Sequence, residues 1–182
     1  IESGTAVLKM QAENLIEMFY SVNTVFESAI QSKEIQYSID TNIQHKYAVC
    51  DKTKLQEIYL NIVSNAIKYT PNGQAIHVNI TETASDDKKA WYVFICEDTG
   101  IGMKQEYLPH IFDEFSREHT ATENKVVGTG LGLSIVKSFV ELMDGKIYVE
   151  SEQGKGTKFT VEIPLEIASE EDVYKKKESE QS

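Results

Sequence analysis

An α/β domain is what this sequence predicts, on three observations. Apolar residues recur at three- and four-residue spacing in three stretches, which is the period of a helix. Between those stretches lie short runs rich in aromatic and β-branched residues, which favour strands. The 182 residues, 41% of them apolar and 9% aromatic, suffice for one domain with a real core.

Residues 1–5 are short and polar, and Ala6–Gln11 reads as a weak strand. Leu15, Met18, Phe19, Val22, Val25, Phe26, Ala29 and Ile30 then mark one amphipathic helix, with Asn14 placed to cap it. Strand-like runs follow at Ile35–Ile39 and Tyr47–Cys50. Asp51 can cap the next helix, whose apolar side carries Leu55, Ile58, Tyr59, Ile62, Val63, Ala66 and Ile67, and Pro71-Asn72-Gly73 ends it. Ala75–Thr81 and Trp91–Glu97 read as a hairpin joined by the exposed Ser85–Lys89 loop.

Residues 103–127 lack a sustained period and read as a long loop with short helical turns. Leu131–Met143 is a helix that Gly145 ends at the C′ position. Lys146–Glu150 and Thr157–Pro164 form a last hairpin around Gly154 and Gly156. This bounds one domain at 6–165, while 166–182 is almost all charge and Ser and reads as a disordered tail or linker.

Composition excludes several functions. A net charge of -11 argues against nucleic acid, since neutralising phosphates takes a basic surface. No apolar run approaches the roughly 20 residues of a membrane span. Cys50 and Cys96 have neither disulfide-framework nor metal-ligand spacing, and their apolar neighbours suit reduced thiols and the cytoplasm.

Four short motifs carry chemistry. On a helix at 100° per residue, Asn61, Asn65 and Lys68 fall within roughly 60° of one another. Such a stripe can be merely solvated, but Asn is a poor helix former and two stand mid-helix on one side. An amide oxygen can ligate Mg²⁺, and Lys68 can meet phosphate charge. Asp98-Thr-Gly100-Ile-Gly102 follows a strand and serves equally as a tight turn or as an adenine reader. In the second case the carboxylate accepts from the adenine amino group and the glycines let backbone approach the ring.

Phe112-Asp-Glu-Phe115 lies inside the long loop, where Arg117 and Lys125 are the cations best placed to face phosphate. Gly128-Thr129-Gly130-Leu131-Gly132-Leu133 opens a helix. Leu133 stands where a dinucleotide fingerprint needs its third glycine, and no Walker lysine follows. Free backbone N–H groups at a helix start still make a phosphate cradle.

In order and spacing these segments resemble the N, G1, F and G2 boxes of bacterial sensor histidine kinases, within the GHKL superfamily. The resemblance runs from about residue 6 to 165, and Gly154-Lys-Gly156-Thr157 is similar to a further element whose Thr lies near the adenine pocket. It implies a two-layer α/β sandwich (the Bergerat fold): a mixed, mostly antiparallel sheet covered on one face by helices, with a long ATP lid. It implies ATP and Mg²⁺ as cofactors, with Asn65 on the metal and Asn61, Lys68 and Tyr69 around phosphates and ribose. Asp98 would read adenine with Gly100, Gly102 and Thr157 about the ring. Arg117 would be the lid arginine near the γ-phosphate, Lys125 a second lid cation, and residues 128–133 the phosphate cradle.

The family's acceptor histidine sits in a separate helical hairpin, and none of His45, His77, His110 or His119 has its sequence context. Residues 1–5 resemble the end of that hairpin. The expected partners are therefore the hairpin, in cis or trans, and the receiver domain of a response regulator, with a membrane-anchored parent. ATP-hydrolysing machines of the same fold carry a Glu where this chain has Asn61, which cannot serve as a general base. Phosphoryl transfer is thus favoured over hydrolysis, with a serine kinase of this fold as a further alternative.

Overall fold

The computed structural model describes residues 7–114 and 132–182. Their order is β1 (Gln11–Asn14), α1 (Leu15–Thr24), α2 (Glu27–Ser32), β2 (Gln36–Asn42), β3 (Tyr47–Cys50) and α3 (Lys52–Tyr69). Then come β4 (Ala75–Ser85), β5 (Lys89–Asp98), α4 (Gly132–Leu142), β6 (Lys146–Glu152), β7 (Gly156–Ile167) and α5 (Glu170–Gln181).

The strands form one sheet in the order β1-β3-β7-β5-β4-β2, with β6 also on β7. Only β2 and β4 run parallel, so the sheet is mixed and mostly antiparallel. Alternation decides its faces. Ile76, Val78 and Ile80 of β4, Tyr92, Phe94 and Cys96 of β5, and Phe159, Val161 and Ile163 of β7 are buried against the helices. Leu55, Ile58, Ile62 and Val63 of α3 meet them, with Leu15 and Phe19 of α1 and Val136 and Val140 of α4 beside them. The other face keeps polar Ser38, His77 and Asn79. This is the two-layer sandwich that the resemblance implies. None of the described helices is long and apolar enough to cross a membrane.

The caps stand where the sequence puts them. Asn14 Oδ1 accepts from the N–H groups of Ile16 and Glu17, and Asp51 Oδ1 from that of Lys54. Four expectations need correction. The first strand lies at Gln11–Asn14 rather than Ala6–Gln11, because its partner in β3 pairs Gln11 with Cys50 and Asn14 with Tyr47. The helix expected over 15–30 breaks after Thr24, where the hydroxyls of Ser21 and Thr24 bond back to the carbonyls of Met18 and Ser21. Val25 is consequently exposed, while Phe26 still anchors the turn in the core.

At the end of α4 it is Asp144, at φ +60°, that takes the left-handed C′ position, and Gly145 follows it. The Gly145 N–H donates to Val140 O at 2.9 Å, and a Cβ there would come within 2.4 Å of the Glu162 carbonyl oxygen. Lastly, the charged tail is ordered: β7 runs on to Ile167, and 170–181 form α5. Ser169 and Asp172 make a reciprocal capping box, Val173 is buried, and Lys176 pairs with the buried Glu13 of β1. One buried valine and one part-buried ion pair dock a helix that looks coreless by composition.

Candidate functional site

The inward rows of β5 and β7 are apolar except at one end of the sheet, where the last residue of β5 and the first inward residue of β7 are polar. Asp98 and Thr157 stand there as cross-strand partners, 6% and 7% exposed. Both line a pocket that opens to solvent. Asn65 and Tyr69 of α3 form one wall, Leu133 of α4 another, and Gly102, Met103, Tyr107 and Ile111 the lower rim.

Burial pushes the Asp98 carboxyl up to about 6, and the neighbouring Glu97 charge adds to this. Donation from the backbone N–H groups of Gly100, at 2.8 Å, and Thr157 only partly offsets it. Among the described residues no cation pairs with it. A donor arriving from the cavity would complete its hydrogen bonding.

The turn after β5 is pinned from two sides. Ile101 N–H donates to Tyr69 O at the end of α3, and Gly154 N–H donates to Ile101 O from the β6–β7 hairpin. A Cβ at Gly100 would lie 2.2 Å from Tyr69 O; at Gly102, with φ +69°, it would lie 2.0 Å from Glu152 O. These glycines therefore serve the approach of protein backbone to protein backbone, besides any approach to a ligand.

Asn65 lies in the cavity wall, and its amide has no hydrogen-bond partner among the described residues. Asn61 sits one turn earlier, its Nδ2 donating to Glu57 O, and its Oδ1 lies so near the start of α4 that a Cβ on Gly132 would come within 2.7 Å. Lys68 is exposed outside the wall. The structure thus brings together Asn65, Tyr69, Asp98, Gly102, Leu133 and Thr157, with Gly100, Asn61 and Gly132 packed behind them. Arg117, Lys125, Gly128, Thr129, Gly130 and Leu131 lie outside the described residues, as does Phe115.

Half of the expected lid is docked against the core. Within 103–114, Leu108–His110 form a 3₁₀ turn, Met103 and Ile111 are buried, and Phe112 packs against the core. Burial at single positions secures it, so no period betrayed it in the sequence.

Sequence reasoning also missed Ser151. Its Oγ accepts from Met103 N–H at 2.9 Å and lies 2.9 Å from Gly156 O and 2.8 Å from Thr157 Oγ1. The usable signal was register: Ser151 pairs with Thr157 across the last hairpin.

The pocket presents the Asp98 carboxylate and Thr157 hydroxyl to a ligand's polar edge, and Asn65 offers a free amide oxygen to a hard cation. Among the described residues no three His, Cys, Asp or Glu side chains are grouped to hold a metal alone. A family model described as histidine kinase-, DNA gyrase B- and HSP90-like ATPase matches residues 50–167. The chain belongs to this family.

Hybrid signal transduction histidine kinase D of Dictyostelium discoideum is 32% identical over all 182 residues, which span only 12% of that protein. The catalytic domain of histidine kinase ThkA matches with a TM-score of 0.71 at 27% identity, over 86% of this chain and 96% of that one. Full-length ShkA in complex with AMPPNP matches at 0.73 and 26%, over 92% of this chain and 34% of ShkA. ThkA has also been solved in complex with the response regulator protein TrrA, and there the match is 0.63 at 25%, over 85% and 41%. The sandwich is thus that of an ATPase family member homologous to histidine kinases.

Proposed function

We propose that this chain is the ATP-binding catalytic domain of a cytoplasmic sensor histidine kinase module, donating the γ-phosphate of ATP to a histidine on a separate helical hairpin. Asp98 carries the reading: a buried carboxylate, unmatched by any cation among the described residues, at the wall of an open cavity. It would accept from the adenine amino group. Asn65 would hold Mg²⁺ through its free amide oxygen, with Asn61 oriented beside it and Lys68 meeting phosphate charge. Tyr69 would border the ribose, Arg117 and Lys125 would face the phosphates from the lid, and residues 128–133 would cradle them.

Catalysis is then mostly positioning and charge neutralisation. The acceptor imidazole nitrogen attacks the γ-phosphorus as the bond to the bridging oxygen breaks and ADP leaves. Asn61 supplies no base for water, which favours transfer over hydrolysis. The ThkA–TrrA complex supports a response regulator as the onward partner.

Radiolabelled ATP tests this. The chain alone should bind ATP, yet neither label itself nor release phosphate quickly. Adding the hairpin in trans should yield acid-labile phosphate on it, and Asn65→Ala should lower that labelling at least tenfold by weakening the Mg²⁺-dependent part of binding. Robust phosphate release by the chain alone would instead favour the ATPase machine, and acid-stable label on serine would favour the serine kinase.

A further inference from the structure

The last turn of α3 carries the pocket residue Tyr69, and groups from elsewhere in the chain finish its end. In a helix the carbonyl of Ile67 would accept from the N–H of residue 71, but that residue is Pro71 and has none. Thr70 before it is extended, at φ −102° and ψ 117°, as a residue preceding proline prefers. The Lys33 ammonium reaches over from the end of α2 and donates to Ile67 O instead. The carbonyl end of a helix favours a cation. Among the described residues Lys33 has no carboxylate partner, so a half-buried charge is given to this carbonyl. Burial pulls its ammonium below the ordinary lysine range.

Lys33 also grips the loop after α3 from a second side. Its carbonyl accepts from Gly73 N–H at 3.0 Å. Beside it the Gln36 side-chain amide donates to Gly73 O at 3.1 Å, and Gln36 N–H to Gln74 O at 2.8 Å. Where the loop ends, Ala75 N–H donates to Thr99 Oγ1 and Thr99 N–H to Ala75 O, both at 3.0 Å. Thr99 follows Asp98, and Ile101, two residues on, donates its N–H to Tyr69 O at 3.1 Å. The end of α2, the last turn of α3 and the turn after β5 thus form one hydrogen-bonded unit, with Tyr69 and Asp98 on its pocket side.

We infer that Lys33 is a positioning residue for the nucleotide site: by supplying the donor that Pro71 cannot, it holds the last turn of α3, and with it Tyr69 and the turn after β5 that hangs from the Tyr69 carbonyl. The inference rests on the nucleotide reading above and adds to it a residue that lies outside the pocket. A lysine that only stabilised the fold as a whole would loosen every part of it alike when removed, and would leave the affinity of the folded protein unchanged.

Lys33→Met keeps the aliphatic stem and removes the donor, whereas Lys33→Arg keeps a charged donor. Calorimetry of the whole chain with a nonhydrolysable ATP analogue and Mg²⁺ should find Lys33→Met about fivefold weaker, part of the worth of one charge-assisted hydrogen bond, and Lys33→Arg within about twofold of wild type. Without nucleotide, hydrogen exchange followed by NMR should show Lys33→Met speeding the Ile101 amide about tenfold more than the Phe94 amide, whose place in the central strand β5 makes it report opening of the whole sheet.

Equal acceleration at both amides would make Lys33 a general strut and overturn the inference while leaving the nucleotide site standing. So would unchanged affinity in Lys33→Met, or weaker affinity with Ile101 as well protected as in wild type. Wild-type protein that fails to bind the ATP analogue would remove the nucleotide reading, and the inference with it, whatever Ile101 does. If Lys33→Met fails to fold, Lys33→Gln, which keeps a neutral donor, should show the same pattern at smaller size, and its absence there would overturn the inference.

Discussion

Asp51 and Asp98 are both buried aspartates at the ends of strands, 3% and 6% exposed, and the protein treats them in opposite ways. Asp51 follows β3 and caps α3. It accepts from the N–H groups of Lys9 at 2.8 Å and Lys54 at 3.1 Å, and the Lys54 ammonium lies 3.3 Å away. Burial pushes its carboxyl up, but these donors together outweigh burial and hold it below the usual carboxylate range. Asp98 has two backbone donors and, among the described residues, no cation, so burial prevails and its carboxyl rises to about 6. Asp51 is completed by its own chain, whereas Asp98 has no cationic partner among the described residues and faces the pocket. A buried charge left incomplete beside a cavity marks function in a way that burial alone does not.

The largest effects should come from deleting each carboxylate. Asp98→Ala should weaken ATP binding about thirtyfold and erase the preference for adenine over guanine, since a charge-assisted hydrogen bond is lost. Its stability at pH 7 should hold or rise. Asp51→Ala should do the reverse, costing about 2 kcal/mol of stability through the lost cap and the unsatisfied Lys9 N–H, with affinity unchanged. Urea unfolding and calorimetry on both variants decide it. Loss of stability in Asp98→Ala as large as in Asp51→Ala would break the comparison.

A pH series should separate the two more finely. For Asp98 the folded carboxyl, at about 6, is raised above its ordinary 3.8, so the native state binds the extra proton first. Stability from this group therefore grows as pH falls through 6, by about 1 kcal/mol between pH 7.5 and 5.5. Asp51, held low, contributes stability that is present above about 4 and lost only at lower pH. An adenine amino donor is held more strongly by the charged form of Asp98, so ATP affinity should fall, by up to about fourfold, from pH 7.5 to 5.5. In Asp98→Asn both trends should vanish; their persistence would assign them to another group.

Much of this was legible in the sequence, for local reasons. Alternation in β5 runs Ala90, Tyr92, Phe94, Cys96 and then Asp98, so the carboxylate was visibly the inward row's polar end. Asn14 and Asp51 announced their caps by position alone. What stayed hidden depends on neighbours distant in the chain. Gly102 is glycine because Glu152 O lies against it, and Ser151 matters because Met103 N–H and Thr157 Oγ1 converge on it. The α5 helix hides likewise, since its anchor, Glu13, stands at the other end of the sequence.

The smallest effect tests whether the difference between the two aspartates is one of donors. Lys54→Met keeps the aliphatic stem that runs beside Phe139, where the ammonium stands 5.7 Å from the ring, but removes the charge near Asp51. The two backbone donors remain, so the cap survives and the loss should be no more than about 1 kcal/mol, as for a partly exposed pair. Carbon-detected NMR titration should then find the Asp51 carboxyl moved upward, toward the behaviour of Asp98, because burial is unchanged while one opposing donor is gone. ATP affinity should stay as it was, the cavity being lined by other residues. An Asp51 carboxyl that does not move would mean that solvent already screens the ammonium, and that two backbone N–H groups alone hold it low. In that case the rise at Asp98, which also has two, would have to come from the apolar surroundings of its pocket rather than from the missing cation.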